Sequence, residues 1–469
     1  MSEMSYSSTS VLTSSLEKAK SSFTWEEVAT HCTATSVWIV YDDKVYDVTT
    51  FLPRHPGGEE LLLLGAGRDC TQLIDMYHPF TKKPHAILRK FEIGRLTSWE
   101  HPHYKKDSGF YKDICQAAKD YFQHSGLDPK NPSSGLWRLG IFLLSLALFF
   151  VLSSTSILGD FSLTSRIIFG VFYGIFMSLM MLHTMHDSSH GALGQSEWMW
   201  QLGRIAFDFL NGGCMSSWHN QHVIGHHIYT NVFECDPDLP VVETGDPRRL
   251  VHRQRQNPLY KWQWLYLPPL YGTLTMKNRL QDFVNFYNES NGPIRVNPYN
   301  IMHWAQMLGS KAVWFGWRIM MPLYLFHESG PNVLLPFLAG ELTTSYYLAF
   351  IFQVSHVSNA CSYYNDQVRR SVIDDEWAVS QVRSSVDYGY DSALCTFFAG
   401  ALNYQTIHHL LPGISQYHYP ALAPLVRNVC AKHGVKFNYL HGFREAWLGH
   451  FHHLVTMGKE GQQVHLHMG

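Results

Sequence analysis

Apolar and polar residues follow one another along the chain in distinct registers, and each register predicts a different kind of element. Between 36 and 52 the run SVWIVYDDKVYDVTTFL sets apolar stretches on either side of Asp42 and Asp43, which predicts a two-stranded hairpin with an acidic turn. Just before it, FTWEEV puts Thr24 three residues ahead of Glu27, the spacing of a capping box that starts a helix. Residues 97–135 contain HPHYKKDSGF and DPKNPSSG, rich in turn formers, and predict a polar linker. Beyond the linker the pattern changes to long apolar runs. Segments 137–158 and 162–183 each approach the ~20 residues with which a helix spans a membrane, and 311–327 and 332–353 form a second such pair. Short connections within each pair favour spans over buried core helices. Segments 198–215 and 262–276 are aromatic and apolar but carry polar residues, which predicts helices lying in the interface. No internal repeat is visible.

Composition changes the picture in three places. The length, 469 residues, allows about three domains. Lys plus Arg total 36 against 38 Asp plus Glu, so the basic excess that a nucleic-acid partner demands is missing. Charged residues make up 16 %, below the usual share of about 25 %, while aromatics reach 14 %; part of the surface is expected to face a bilayer. The eight cysteines are scattered without a CxxC pair, which argues against a disulfide framework and against a zinc ribbon. Residues 1–22 are polar and rich in Ser and Thr, with no apolar core for a cleaved signal peptide, so the N-terminus is expected in the cytosol. Four spans then return the segment 184–310 to the cytosol. It carries Arg204, Arg248, Arg249, Arg253 and Arg255 among its basic residues, whereas the two turns on the far side hold only Arg166, the positive-inside asymmetry.

Histidine is the unusual count, 28 in all. His55 in HPGG and His78 in MYHPF stand 23 residues apart, with a Leu-rich stretch between them. Two imidazoles on opposite faces of a haem fill both axial positions and leave a centre that only passes electrons. Pro56, Gly57 and Gly58 would let the loop turn sharply beside such a macrocycle. On spacing alone two unrelated surface histidines would explain the pair. The context changes this: FTWEEV, KVYDVTTFL, HPGGEELLL and the second histidine, in that order, resemble a cytochrome b5 domain over residues 21–96. That resemblance implies haem b, its iron bound by His55 and His78.

Three further clusters follow. HDSSH puts His186 and His190 at i, i+4 on one face of a helix continuing from the second span. QHVIGHH puts His222 and His226 at i, i+4 with His227 adjacent, and QTIHH puts Gln405, His408 and His409 at i, i+3, i+4. His356 follows the fourth span directly. These imidazoles are enough for two metal ions, and imidazole suits iron, zinc and copper alike. The attached haem selects among them, because an electron donor is pointless for redox-silent zinc. Iron with a one-electron feed, in an apolar setting, points to oxygen-dependent attack on unactivated C–H bonds of a lipid chain.

With the three boxes behind a b5 domain, the chain resembles a front-end fatty acyl desaturase from about residue 21 onward. NQHVIGHHIYTNV, DEWAVSQV and LNYQTIHHLLPGISQYHYP look most like Δ5-acting members. The resemblance implies a multi-domain fold: a small α+β b5-like domain (21–96), the linker (97–135), and an all-α membrane-bound desaturase domain (136–450) with four transmembrane helices and a cytosolic helical cap. It implies a di-iron site of His186, His190, His222, His226, His227, His356, His408 and His409, with Gln405 as ligand or near neighbour. It further implies O2, an NADH-cytochrome b5 reductase as electron source, and the endoplasmic reticulum membrane with N-terminus and active site cytosolic. The substrate would be a polyunsaturated acyl chain of about twenty carbons on CoA or phospholipid, placed against the irons by the protein. Leu411 departs from the family, where an aromatic is common, and would alter the cavity wall. The rivals are a Δ6, Δ4 or Δ8 enzyme, a sphingoid-base desaturase, a b5-fused lipid hydroxylase, and a membrane b5 electron carrier without enzymatic function. His183 and His219 read as satisfied histidines, Asp187 as a possible orienting partner of a ligand imidazole, and Asp236 and Asp238 as turn residues. His101, His103, His252, His465 and His467 read as surface residues.

Overall fold

The alternation at 36–47 folds as the pattern demands. Strand β1 (Ser36–Tyr41) pairs antiparallel with β2 (Lys44–Asp47) in the register Tyr41↔Lys44 to Trp38↔Asp47. Asp42 and Asp43 both adopt positive φ, 48° and 63°, the backbone of a two-residue turn whose twist matches the strands. β3 (Glu92–Leu96) joins the far edge of β2, and Ser22–Phe23 extends the sheet in parallel along β3. Val37, Ile39, Tyr46, Val48 and Leu52 bury one face of this sheet against short helices that flank the two haem-type histidines. The capping box is present, Thr24 accepting from the Glu27 amide. The computed structural model describes residues 21–364 and 372–459. The polar N-terminal stretch up to residue 20, His465 and His467 lie outside these residues.

The stretch read as a linker is folded. His103–Lys105 pairs in parallel with Val372–Glu376, and α1 (Phe110–Ser125) buries Phe110, Ile114, Ala118 and Phe122 in the core of the helical domain. The turn formers on both sides of α1 hide a clear i, i+4, i+8 apolar stripe. His101 and His103 are accordingly half-buried rather than on the surface; His103 packs on Trp99, and His101 on Tyr229. His252 is exposed.

Among the described residues, three helices are long and apolar enough to cross a membrane: α2 (Ser133–Ser154), α3 (Leu163–Ser189) and α6 (Gly330–His356). On α2, Leu144 is 74 % exposed and Trp137 54 %, an outward face that suits lipid rather than water. The fourth expected span, 311–327, lies in a helix covering 301–325, here α5, and does not meet the same standard. It carries two charged side chains that the fold accommodates. Lys311 Nζ pairs with Asp282 at 2.6 Å, and Arg318 is buried with its guanidinium 4.0 Å from the Tyr173 ring centroid. The segments expected in the interface form Glu197–Ile205, continued through 206–211, and Gln263–Tyr271; Trp198, Trp262 and Leu265 on them are more than half exposed.

α3 and α6 form the most intimate pair, and glycine permits it. A Cβ added at Gly170 would stand 2.3 Å from the Pro336 carbonyl oxygen, and one at Gly174 2.5 Å from that of Gly340. Small residues at such a crossing let backbones approach closely where lipid gives no hydrophobic drive to association. At the opposite end, the buried Arg166 of α3 reaches Glu328, in the turn between α5 and α6, at 3.2 Å. α3 and α6 thus run side by side and deliver His186 and His356 toward the same end of the bundle. Gly174→Val is expected to cost about 1–3 kcal/mol by overpacking, read as a lower unfolding midpoint in detergent. Gly140→Ala, where a Cβ meets open space, should leave the midpoint unchanged.

Candidate metal centre and haem site

Four segments supply the cluster. His186 and His190 close α3, just beyond a wide π-type turn over Met181–Met185. His222, His226 and His227 sit on α4 (215–229), which is π-wound across His219–His226. His356 ends α6, and Gln405, His408 and His409 lie on the single short helix α7 (Gln405–Leu410). Wide turns of this kind recur at functional sites because they shift the phase of side chains locally. All eight imidazoles are buried and face one another.

They divide into two interleaved groups. Side-chain nitrogens of His186, His190, His222 and His408 lie within 4.8 Å of one another, and those of His226, His356 and His409 do likewise. His227 stands between, grouped with His408 and His409. Within the first group His186 Nε2 and His222 Nε2 are 3.1 Å apart; within the second, His409 Nε2 and His356 Nε2 are also 3.1 Å apart. A metal–nitrogen bond of about 2.0–2.1 Å sets neighbouring donors on one ion about 2.9–3.4 Å apart, so these pairs have the spacing of shared ligands. The Gln405 amide reaches to 2.8 Å from His356 Nε2, beside the second group. The second and third sequence boxes are therefore split, while the first is not: His222 and His408 join His186 and His190 in one group, and His226 and His409 face the other.

The outward nitrogens are held by protein. His190 Nδ1 meets the Tyr77 hydroxyl at 2.8 Å, His356 Nδ1 the Ser384 carbonyl at 3.1 Å, His408 Nδ1 the Tyr419 hydroxyl at 3.2 Å, and His409 Nδ1 the Gln381 amide oxygen at 2.9 Å. His226 Nδ1 lies 3.2 Å from both carboxylate oxygens of Asp236. Such outer partners orient the rings and commit the opposite nitrogen inward. The inward Nε2 atoms of His190 and His408 are buried and have no hydrogen-bond partner. Burial, reinforced by the neighbouring imidazoles, holds His190, His222, His227, His408 and His409 well below the ordinary histidine range. Burial pushes His226 the same way, but the Asp236 carboxylate more than offsets it and leaves its pKa raised. Neutral imidazoles with converging lone pairs are cation ligands in waiting, and the donor set fits two ions.

Several readings of single residues change. Asp187 is buried, but it accepts from the backbone and side chain of Gln416 rather than from a cluster imidazole. The orienting carboxylate is Asp236, which also serves its turn by accepting from the Asn231 and Asp238 amides. Its distance of ten residues from His226 left no helical spacing to notice. Tyr77, Gln381 and Tyr419 lie inside the family-like stretches MYHPF, DEWAVSQV and LNYQTIHHLLPGISQYHYP, but nothing in their spacing ties them to the histidines they hold. His183 is satisfied by the Phe397 carbonyl and the Tyr417 hydroxyl, and His219 lies outside both groups. Leu411 packs beside Ile407 and Ile414 in the core, away from the cavity described next.

That cavity opens beside His186. Met185, Phe207, Trp218, Leu348 and Phe352 give it apolar walls, while Asp282 and Asn285 add polar groups. Trp218 also stacks on the His222 ring at 4.4 Å. An apolar chain in this space would lie against the first histidine group.

In the small domain, His55 follows the 3₁₀ turn Thr49–Arg54, and its Nδ1–H donates to the Gly58 carbonyl at 2.9 Å, which frees Nε2. Gly58 takes φ +87°, and a Cβ on Gly57 would come within 2.9 Å of the His55 ring, so HPGG is needed for this loop to close. His78 ends the helix Thr71–Tyr77, and burial, with His55 nearby, lowers its pKa to about 4, leaving the ring neutral. Half-buried Phe51, Leu62, Leu63, Leu73 and Ile74 line this part of the domain, the apolar surroundings a macrocycle requires. The domain is fastened to the helical one by polar contacts: Glu60 with Arg204 at 2.7 Å, and Asn297 Nδ2–H donating to the Leu63 and Ala66 carbonyls at 2.8 and 3.0 Å.

Comparison with known proteins agrees with this arrangement. Residues 24–97 match the family described as "Cytochrome b5-like Heme/Steroid binding domain", and residues 163–441 match the family described as "Fatty acid desaturase". The chain is 38 % identical to "Acyl-lipid (8-3)-desaturase B" of Dictyostelium discoideum over 94 % of its own length and 95 % of the relative's. It is 38 % identical to "Delta(5) fatty acid desaturase A" of the same organism, over 94 % and 95 %, and 35 % identical to "Acyl-lipid (8-3)-desaturase" of Mortierella alpina, over 93 % and 97 %. With two groups of converging imidazoles beside an apolar cavity, and a haem domain fixed across them, the chain belongs to the fatty acid desaturase family as an oxygen-dependent membrane enzyme with a fused cytochrome b5 domain, and its cofactors are haem and two irons.

Proposed function

We propose that this enzyme introduces a cis double bond at the Δ5 position of a polyunsaturated acyl chain of about twenty carbons, with His186, His190, His222, His226, His227, His356, His408 and His409 as its iron ligands and Gln405 beside the second iron. The observation that carries this reading is the convergence of the eight rings next to the cavity at His186. The Δ5 position is supported by the similarity, over nearly its whole length, to the Delta(5) fatty acid desaturase A of Dictyostelium discoideum. His55 and His78 would hold the haem. Iron bound in the cluster supplies the oxygen-dependent one-electron chemistry that an unactivated C–H bond requires.

The chain's own residues do the rest. Met185, Phe207, Trp218, Leu348 and Phe352 desolvate the acyl chain and hold successive carbons against His186. Asp236, Gln381, Tyr419 and Ser384 keep the ligand rings from turning, so the inward nitrogens stay committed. Regiochemistry is a matter of how deep the cavity lets the chain run before its carboxyl end stops. Electrons arrive through the fused haem from an NADH-dependent b5 reductase. We place the protein in the endoplasmic reticulum membrane with the histidines on the cytosolic side and α5 as a fourth span. Supporting that topology, Arg166 and Glu328 join the α2–α3 and α5–α6 turns at one end, opposite the histidines.

Expression in a desaturase-poor host fed several unsaturated fatty acids, with product bond positions mapped by mass spectrometry, tests the whole reading. A new Δ5 bond in twenty-carbon substrates is expected; a bond at Δ6 or Δ8, or an alcohol product, would refute it. His55→Ala should abolish desaturation when no other b5 protein is present, and full turnover there would contradict the electron route. Asp236→Ala, which frees the His226 ring, should weaken iron retention about 10–100-fold, measured as non-haem iron per chain after dialysis against a chelator; unchanged retention would remove Asp236 from its role.

A further inference from the structure

Tyr77 precedes the haem-type ligand His78 in the chain and reaches with its hydroxyl to His190, 2.8 Å from Nδ1. No other residue in the described chain both adjoins a haem-type histidine and touches a cluster histidine through its side chain. The contact is held from several sides. The Tyr77 ring lies nearly parallel to that of His190, 21° between planes, and packs on Gly413 in the loop after the third box, where a Cβ would come 3.4 Å from it. Glu60, Leu63 and Ala66 pin the same domain to Arg204 and Asn297. His190 Nε2, on the far side of the ring, is the buried nitrogen without a partner. From His78 to that nitrogen the connection is therefore one peptide link, one side chain, one hydrogen bond and one imidazole.

We infer that Tyr77 is a positioning residue with two tasks: it orients His190, and it provides the short link by which electrons cross from the haem domain to the first histidine group. The inference rests on the proposed ligand role of His190. With Nε2 committed inward, Nδ1–H donates to the Tyr77 hydroxyl oxygen. Nothing would be bonded or cleaved in the transfer: a ferrous haem held by His55 and His78 would lose one electron and become ferric, and a ferric iron held by His190 would gain it and become ferrous. Tyr77 remains a neutral phenol throughout. A phenylalanine fills the same space and keeps the ring packing, but it deletes the hydrogen bond from the link.

The test uses the full-length holoenzyme in lipid nanodiscs whose phospholipids carry polyunsaturated acyl chains, reduced by NADH through a catalytic amount of b5 reductase. Haem reoxidation is followed at its visible bands after mixing with oxygen, with haem and non-haem iron counted in the same samples. For Tyr77→Phe we expect an unaltered haem spectrum and midpoint potential, two non-haem irons per chain, and reoxidation slowed about tenfold or more. Reoxidation at the wild-type rate, or slowed only in proportion to lost iron, overturns the inference. The ligand assignment is judged separately: wild-type protein lacking non-haem iron, or His190→Ala retaining both irons, would sink that reading, whereas a fully loaded Tyr77→Phe enzyme with wild-type reoxidation counts against Tyr77 alone.

Discussion

Eight imidazoles packed with their lone pairs toward one another are unstable company unless cations sit among them. Desolvation keeps His190, His222, His227, His408 and His409 uncharged, and mutual proximity discourages their protonation further. Without a ligand the buried Nε2 atoms of His190 and His408 would carry the full penalty of an unsatisfied polar group. The rest of the desaturase domain can be understood as what is needed to impose that arrangement. Helices α3 and α6 approach closely at Gly170, Gly174 and Gly340, which brings His186 and His356 to one level. Short π-wound stretches then rephase the chain where a regular helix would have aimed the rings elsewhere.

The outer hydrogen bonds make the cluster directional. Carboxylate, amide, carbonyl and phenol each hold one ring nitrogen, and the acceptors come from segments as distant as the b5 domain, Gln381 and Tyr419. The ring orientations thus depend on the tertiary fold as a whole rather than on the helices that bear them. Among the described residues the cavity borders one of the two groups, through His186 and the Trp218 that stacks on His222. On the proposed reading, substrate and electrons would meet the cluster at neighbouring members of the first group, His186 and His190.

Much of this was legible in the residues. The hairpin with its acidic turn, the capping box at Thr24, the apolar helices and the seven clustered histidines stand out by spacing, whereas His356 stands alone after its helix. What escaped notice has a common cause. Tyr77, Asp236, Gln381 and Tyr419 act across 10 to 113 residues of chain, where the spacing of a single helix carries no information. Helix α1 was hidden because turn formers flank a short apolar stripe. The α5 segment looked like the other long helices by hydropathy, yet Lys311 and Arg318 are accommodated by Asp282 and by aromatic rings that only the fold brings near. Box spacing showed which side chains share a helical face but not that a single box divides between two destinations.

That division has a mechanical corollary. His408 and His409 are consecutive residues of one six-residue helix, and they serve opposite halves of the cluster. The helix behaves like the beam of a balance: tilting it by a few degrees to improve one half must worsen the other. Both halves therefore share one tolerance for distortion, and the buried packing of Ile407, Leu410 and Leu411 beneath the beam sets it.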